Sequence, residues 1–212
     1  EIVESGIANI SDLDMAVEVG LVMTPPFQMM NKVGIKKSLE LVEAYAKENP
    51  GFKVAEILKK QAASGKPWKI PVVLREDKGD VAIVKIRRPK VLNALNKDVF
   101  EQLGEHFLGI QKDPKIKGAV LTGFGTRAFV SGADIDMLAA LKTPQEAEAK
   151  CTEDKSALNL IEDLGKPTVC AMNGLAFGGG NELAMACTAR LATPGQKIFV
   201  AQPEPKLGFI PG

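Results

Sequence analysis

NGLAFGGGNELAMAC, residues 173–187, is the stretch that decides the fold of the larger part of this chain. Its three consecutive glycines, at positions 178–180, leave one patch of backbone without side chains, so the main chain there can approach a ligand closely. The residues that follow, ELAMAC, are good helix formers, which predicts that the glycines stand at a helix start. Free N–H groups and a partial positive charge make such a start favourable for negative charge. Glu182 adds a candidate acid or base within the first turn.

Two other segments bear on whether this stretch forms a site or only a glycine-rich turn that leads into a buried helix. Residues 129–134, FVSGAD, indicate a strand that ends in a small-residue turn. Gln202, Pro203 and Glu204 follow another predicted strand and place a second carboxylate at a strand end. Because α/β folds carry their chemistry on the loops at strand ends, the three segments together favour a site.

Composition excludes several classes of protein. The 212 residues allow one large domain or two small ones, and 45% hydrophobic with 25% charged residues is typical of a globular protein. A net charge of +1 and 5% aromatic residues argue against a nucleic-acid surface. No apolar run approaches the roughly 20 residues that a membrane span requires. The opening EIVESG has neither the basic nor the apolar region of a signal peptide. We therefore expect no nucleic-acid partner and no membrane span.

Cysteine and histidine are used sparingly. Cys151, Cys170 and Cys187 are too widely spaced for a disulfide framework, and a single histidine, His106, does not complete a zinc site. Cys170 and Cys187 have apolar neighbours, as small core residues do. We expect His106 to be a packing or surface residue. These patterns predict a reducing, cytoplasmic compartment and no bound metal.

Residues 1–66 carry helical patterns. A helix cap is expected among residues 10–14, and the pair Pro25 and Pro26 interrupts the pattern because proline does not fit a helix interior. Amphipathic helices are predicted over residues 35–47 and 54–62. Trp68 is expected to anchor a core or a domain interface.

From residue 70 onward, predicted strands alternate with predicted helices, which indicates an α/β layered fold. Asn96 is suited to cap one helix, and Thr143 with Pro144 starts another that runs to about residue 163. A turn is expected over residues 77–80. The predicted strands cover residues 72–74, 81–86, 119–122, 128–131, 167–172, 190–193 and 198–200.

Four motifs in this region resemble the crotonase superfamily, and in detail its enoyl-CoA hydratases, over about residues 70–212. In chain order they are RRPKVLNAL (87–95), AFVSGADI (128–135), NGLAFGGGNELAMAC (173–187) and QPEPKLGFIPG (202–212). The resemblance implies a crotonase-like α/β domain with a ββα-type spiral that acts in fatty-acid β-oxidation. It also implies a homo-oligomer with trimer-type contacts. We expect the domain to be incomplete at its carboxy terminus, because the closing helices of the family would lie beyond Gly212.

The resemblance assigns a role to each motif. In these hydratases two backbone N–H groups hold the thioester carbonyl, and they correspond to Ser131 and Gly179. The two glutamates that flank the double bond correspond to Glu182 and Glu204, although an aliphatic residue usually stands where this chain has Pro205. The remaining assignments are the CoA adenine site for Lys90, Asn93, Ala94 and Leu95, and the acyl path for Gly132, Ala133 and Asp134.

This chemistry requires residues of these types. Adding water across an enoyl thioester places negative charge on the carbonyl oxygen, and losing one of two N–H donors costs about 3–4 kcal/mol in comparable sites. Small residues let the thioester lie against the backbone, and two carboxyl groups can share the proton transfers. The sequence leaves open which glutamate is the acid and which is the base. It also leaves open an enoyl-CoA isomerase and a non-catalytic acyl-CoA-binding fragment.

The amino-terminal part has a resemblance of its own. DLDMAVEVGLVMTPPFQMMNKVG (12–34) is similar to the helical carboxy-terminal domain of 3-hydroxyacyl-CoA dehydrogenases, with Pro25 and Asn31 where glycine and aspartate are usual. This implies an all-α segment over residues 1–66 and a piece of a fused dehydrogenase–hydratase. No GxGxxG motif follows a strand, so we expect no NAD site and no dehydrogenase activity. Hydration itself needs no cofactor, since coenzyme A is part of the substrate.

Overall fold

The computed structural model describes residues 1–195, 199–208 and 210–211. The chain folds into two compact units, Glu1–Pro71 and Val72–Gly212. Among the described residues, no helix is both long enough and apolar enough to cross a bilayer.

The first unit consists of helices. Its core is formed by Phe27, Ile35, Leu58, Ala62 and Trp68, and the rings of Phe27 and Trp68 meet edge to face with centroids 5.0 Å apart. Trp68 is therefore a core residue of this unit, as one of the two sequence alternatives predicted. The four helices are α1 Ile10–Gly20, α2 Pro26–Val33, α3 Ile35–Glu48 and α4 Glu56–Ser64.

Two details of this unit differ from the prediction. The cap of α1 is Asn9, not a residue within 10–14, because its side chain accepts a hydrogen bond from the Asp12 N–H. The two prolines interrupt the helical pattern, and they also stand at the start of the next helix. Pro26 is the first residue of α2, where its missing N–H is not needed, and the buried Asp14 carboxylate accepts the next N–H, that of Phe27, at 2.9 Å. Whether this unit is a dehydrogenase-type domain stays a prediction.

The second unit contains two sheets. The five-stranded sheet has the order β1-β2-β3-β5-β7, with β1 antiparallel to β2 and the other neighbours parallel. Its strands are β1 Val73–Lys78, β2 Val81–Ile86, β3 Gly118–Gly123, β5 Thr168–Met172 and β7 Ala189–Ala192. The three-stranded sheet has the order β4-β6-β8 and is parallel throughout. Its strands are β4 Ala128–Val130, β6 Leu175–Phe177 and β8 Val200–Ala201.

The helices of the second unit are α5 Lys97–Lys112, α6 Ile135–Ala139, α7 Pro144–Glu162 and α8 Gly179–Met185, with 3-10 turns at Pro89–Val91 and Glu204–Leu207. The predicted caps of the two longest helices are confirmed: Asn96 accepts the N–H of Val99, and Thr143 accepts that of Glu146. One face of α5 is fully buried, with apolar residues three or four positions apart that join the main core: Val99, Leu103, Phe107 and Ile110.

Three features of the second unit differ from the sequence prediction. The hairpin between β1 and β2 closes over only two residues, Gly79 and Asp80, because Gly79 adopts a positive φ of 64° that suits a tight turn. Strand β6 was not predicted, since its three residues lie inside the stretch interpreted as a turn. The strand predicted over 198–200 is β8, Val200–Ala201, and residue 198 lies outside the described residues.

Candidate active site

The three-stranded sheet brings the predicted site segments to one edge. Its strands are parallel, with Val130 opposite Ala176 and Phe177 opposite Ala201, so their carboxyl ends lie side by side. Residues 131–134 leave β4, residues 178–182 leave β6 and residues 202–204 leave β8. The three segments that the sequence singled out therefore meet at the carboxyl edge of one sheet, where α/β proteins bind ligands.

The glycine turn is packed so closely that side chains are excluded from two of its positions. Gly178, at φ 50° and ψ −124°, caps α8, and a Cβ placed there would overlap Oε1 of Glu204. A Cβ on Gly180 would overlap the carbonyl oxygen of Val130. Gly179 is less crowded, with Cδ1 of Leu95 3.3 Å from the position of a Cβ. Its N–H begins the helix and has no hydrogen-bond acceptor within the described parts of the chain.

Both predicted glutamates lie beside this turn. Glu182 is in the first turn of α8, and its Oε1 accepts a hydrogen bond from Nε2 of Gln202 at 3.3 Å. The carboxylate of Glu204 lies against Gly178, and its Oε2 is buried without a hydrogen-bond partner among the described residues. A buried carboxylate oxygen without a partner is costly, which points to a ligand or water that occupies this position in use. Pro205 takes an early position in the 3-10 turn, where no N–H is required.

Gln202 is a residue that the sequence interpretation gave no role. It leaves β8 two residues before Glu204 and reaches across to Glu182, so it links the segment that carries Glu204 to the helix that carries Glu182. Its own Oε1 is buried and has no partner among the described residues. Its place at a strand end beside a candidate carboxylate was a sequence signal for a site residue. The direction of its side chain, however, depends on how β8 pairs with β6.

The hydrogen bonds around Ser131 argue against its predicted role as an oxyanion donor. The N–H of Ser131 donates to the carbonyl of Leu92 at 3.1 Å, and its hydroxyl donates to that of Val91 at 3.2 Å. Two residues on, the N–H of Ala133 has no acceptor within the described residues. Ala133, which was predicted only to line the acyl path, is therefore the better partner for Gly179.

Asn93 was predicted to line the CoA adenine site, but its side chain is fully engaged inside the protein. It is 1% exposed, its Oδ1 accepts the N–H of Arg88 at 3.0 Å, and its Nδ2 donates to the carbonyls of Phe124 and Ala128, both at 3.0 Å. The residue adopts a positive φ of 59°. The side chain of Asn93 thus joins the loop before α5 to the turn before β4, and whether the backbone of its turn lines the CoA adenine site stays a prediction.

The other predicted binding residues remain close to the site segments. Leu95 pairs with Ala133 in an isolated parallel bridge, so the adenine-site motif and the acyl-path motif are in contact. Ala94 and Leu95 are buried, whereas Lys90 is exposed. Gly132 has a φ of 110°, and a Cβ there would lie 3.1 Å from the carbonyl of Phe177. The carboxylate of Asp134 forms an ion pair with Arg88. Whether these residues bind CoA stays a prediction.

The role found for Asn93 predicts a loss of stability. Asn93→Ala should lower the free energy of unfolding of the second unit by about 2–4 kcal/mol, because buried carbonyl and N–H groups lose their partners. Asn93→Gly loses the same bonds but tolerates the positive φ, so it should be less destabilised by about 1 kcal/mol. Urea titration followed by circular dichroism measures both variants. The single tryptophan, Trp68, lies in the core of the first unit and gives a fluorescence signal from that unit.

The part of the chain that the structure describes contains no group of metal ligands. Among residues 1–195, 199–208 and 210–211, no three His, Cys, Asp or Glu side chains converge on a common point. The chemistry available at the sheet edge consists of backbone N–H donors, two carboxylates and an amide.

The family to which this chain belongs follows from a comparison with known protein families. Residues 76–212 match the model of the family described as enoyl-CoA hydratase/isomerase. The chain belongs to this family. The match contains the four motifs and both glutamates, and the crotonase-like α/β fold predicted for this region is confirmed. The fold also agrees with a crystal structure of an enoyl-CoA hydratase/carnithine racemase from Magnetospirillum magneticum, with a TM-score of 0.63 at 33% identity over 68% of this chain and 53% of that one.

Two curated relatives show the range of proteins in which this enoyl-CoA hydratase/isomerase domain occurs. Crotonyl-CoA hydratase from Syntrophomonas wolfei is 38% identical over 140 residues, which is 66% of this chain and 53% of that protein. The fatty acid oxidation complex subunit alpha from Idiomarina loihiensis is 35% identical over 133 residues, 62% of this chain but only 19% of that subunit. The chain thus spans about half the length of the hydratase and a much smaller part of the complex subunit.

Proposed function

We propose that this chain is an enoyl-CoA hydratase module, a hydro-lyase that adds water to a 2-trans-enoyl-CoA such as crotonyl-CoA to give the 3-hydroxyacyl-CoA. The observation that carries the proposal is the pair of glutamates at the amino end of α8. One of them, Glu204, has a buried oxygen without a partner among the described residues. The relatives named as hydratases support the choice of substrate class.

The thioester carbonyl would be held by backbone N–H groups. Ala133 and Gly179 each offer an N–H without an acceptor in the described structure, on neighbouring segments of the same sheet edge. As water adds to the β-carbon, negative charge grows on the carbonyl oxygen, and fixed donors stabilise it more than they stabilise the ground state. The amino end of α8 contributes a partial positive charge in the same direction.

The two carboxylates would handle the water. Oε2 of Glu204 can accept a hydrogen bond from it, while Glu182 is held by Gln202 in the first turn of α8. The water oxygen forms a bond to the β-carbon, one of its protons passes to a carboxylate, and the α-carbon receives a proton from a carboxyl group. We propose that both glutamates orient one water and share these protons, and we leave their separate roles unassigned.

A double-bond isomerase is the second candidate from the same family. Isomerisation moves one proton and needs a single dominant base, whereas hydration uses two groups that act on water and on the α-carbon. The presence of both Glu182 and Glu204 at the glycine turn favours hydration. A non-catalytic acyl-CoA-binding fragment would have no use for a buried carboxylate oxygen left without a partner.

The direct test is turnover of crotonyl-CoA by the whole chain, followed as loss of enoyl-thioester absorbance. We expect steady hydration with 3-hydroxybutyryl-CoA as product. Conversion of a 3-enoyl-CoA to the 2-enoyl form without hydration would instead support the isomerase. Thioester binding measured by calorimetry, with neither reaction, would support the non-catalytic fragment.

We also propose a wider metabolic context for this module. The similarity to a subunit of a fatty acid oxidation complex, together with the dehydrogenase-like sequence of residues 12–34, supports a fused dehydrogenase–hydratase that acts in β-oxidation. We propose no dehydrogenase activity for this chain and no cofactor for hydration. Assembly into a homo-oligomer and a cytoplasmic location stay predictions from sequence.

A further inference from the structure

An ion pair joins the two loops that meet at the carbonyl-binding position. Nη2 of Arg88 lies 2.8 Å from Oδ2 of Asp134, and the two side chains are only 18% and 15% exposed. A charge pair with so little exposure is screened less by solvent than a surface pair, and its removal leaves the remaining charge poorly solvated. The pair therefore constrains the distance between the segment that begins at Arg88 and the segment that ends at Asp134.

Arg88 holds its own loop at two further points. Its Nη1 donates to the carbonyl of Ala94 at 2.6 Å, and its backbone N–H donates to Oδ1 of Asn93 at 3.0 Å. A planar guanidinium can bind a carboxylate and a carbonyl at the same time, which a lysine ammonium on its flexible stem does less well. The side chain of Arg88 thus links Ala94 to Asp134, and its backbone N–H adds a contact to Asn93.

Two backbone hydrogen bonds flank the amide of Ala133. The N–H of Leu95 donates to the carbonyl of Gly132, and the N–H of Asp134 donates to the carbonyl of Leu95, both at 2.8 Å. The N–H of Ala133, between these two bonds, takes no part in the pairing. The ion pair ties together the same two stretches of chain one residue beyond Ala133, so the direction of this N–H depends on it.

We propose that Arg88 and Asp134 are positioning residues for hydration, and that their ion pair holds the N–H of Ala133 in the orientation in which it donates to the thioester oxygen. This inference rests on the proposed function, since the direction of that N–H matters for rate only if negative charge develops beside it. Neither side chain transfers a proton. Their effect should therefore fall on kcat and on polarisation of the bound thioester.

Asp134 also caps a helix, and the test must separate this role from the ion pair with Arg88. Its Oδ1 accepts the N–H of Asp136 at 3.1 Å and so caps α6. Asparagine caps a helix as well as aspartate does, so Asp134→Asn keeps the cap and removes only the charge. Arg75 provides a matched control: it is 19% exposed and pairs with Asp77 at 2.7 Å, but it lies on β1 and touches no site segment.

The experiment compares the whole chain with Arg88→Gln, Asp134→Asn, the double variant and Arg75→Gln. Crotonyl-CoA kinetics give kcat and KM. A bound dimethylaminocinnamoyl-CoA, whose absorption moves to longer wavelength when its carbonyl is polarised, reports the oxyanion donors directly. We expect either single change to lower kcat about 10- to 100-fold, with KM within about threefold, and to reduce the absorption shift. The kcat of the double variant should be no lower than that of the less active single variant, because the two residues act as one unit. Arg75→Gln should stay within about twofold of the wild type in kcat.

Several outcomes would overturn the inference. These are an unchanged kcat, a loss confined to KM, or a loss of kcat with the full absorption shift per bound ligand, as a merely less stable protein would give. If the wild type binds the chromophore with a shift but does not turn over crotonyl-CoA, hydration as the function is wrong, and the shift in Arg88→Gln still decides the positioning role. If the wild type does not bind the thioester, both proposals fall.

Discussion

Glu204→Gln is expected to lower kcat for hydration of crotonyl-CoA by about 10³-fold, within the range by which a positioned acid or base accelerates proton transfer. Glutamine has nearly the same shape as glutamate, so it should keep the contact with Gly178 and leave the glycine turn intact. What it loses is the ability to take up and return a proton. The loss should therefore appear in kcat, with KM changed little, when enoyl-thioester absorbance is followed at saturating substrate.

Glu148→Gln is the matched control, since Glu148 lies exposed on α7 and belongs to no site segment. It should retain the activity of the wild type. Activity of Glu204→Gln within about threefold of wild type would exclude Glu204 from proton transfer. If the variant lost hydration but still converted a 3-enoyl-CoA to the 2-enoyl form, the single-base isomerase would become the better description.

Gly179→Pro should lower kcat by about 10²- to 10³-fold, the effect seen when one oxyanion donor is removed. Gly179 is the first residue of α8, and proline is well accepted at that position because its missing N–H is not used by the helix. The substitution therefore deletes a proposed catalytic donor while it preserves the helix. Circular dichroism and a thermal unfolding curve test the preservation, and crotonyl-CoA turnover tests the loss.

Gly179→Ala separates the N–H from the added side chain. It introduces a Cβ 3.3 Å from Cδ1 of Leu95, as proline also does, but it keeps the N–H. The ratio of kcat between the alanine and proline variants should be about 10² in favour of alanine. Equal activity of the two variants would mean that crowding against Leu95, and not the donor, accounts for the effect.

The sequence was sufficient where local chemistry decides the structure. Asn96 and Thr143 begin α5 and α7 as predicted, because an N-cap needs only its own side chain and an N–H three residues later. The glycine turn and Glu182 in the first turn of α8 were predictable for the same reason. Strand β6 was not predicted, because a strand of three residues between Gly174 and Gly178 is too short to show an alternation of apolar and polar residues.

The site was predictable in its residue types but not in its hydrogen bonds. Ser131 was chosen from its position in a motif, yet the direction of its N–H is set by Leu92, about forty residues earlier in the chain. Asparagine is mostly exposed in proteins, so an exposed side chain is the ordinary expectation for Asn93. Its burial follows from two distant carbonyl groups that accept its hydrogen bonds, that of Phe124 just after β3 and that of Ala128 at the start of β4. Such non-local partners cannot be read from one sequence.

Strand β8 has a consequence for the order in which the protein acquires activity. It is two residues long and joins β6 through the N–H groups of Ala176 and Gly178, which donate to the carbonyls of Phe199 and Ala201 at 2.8 Å. The five-stranded sheet does not include it, and both residues of β8 are exposed, so little buried surface favours this pairing until the rest of the unit has formed. During refolding, circular dichroism should therefore recover before turnover. In hydrogen exchange, protection of the Gly178 amide should follow the fraction of molecules that are active, while protection of the larger sheet does not.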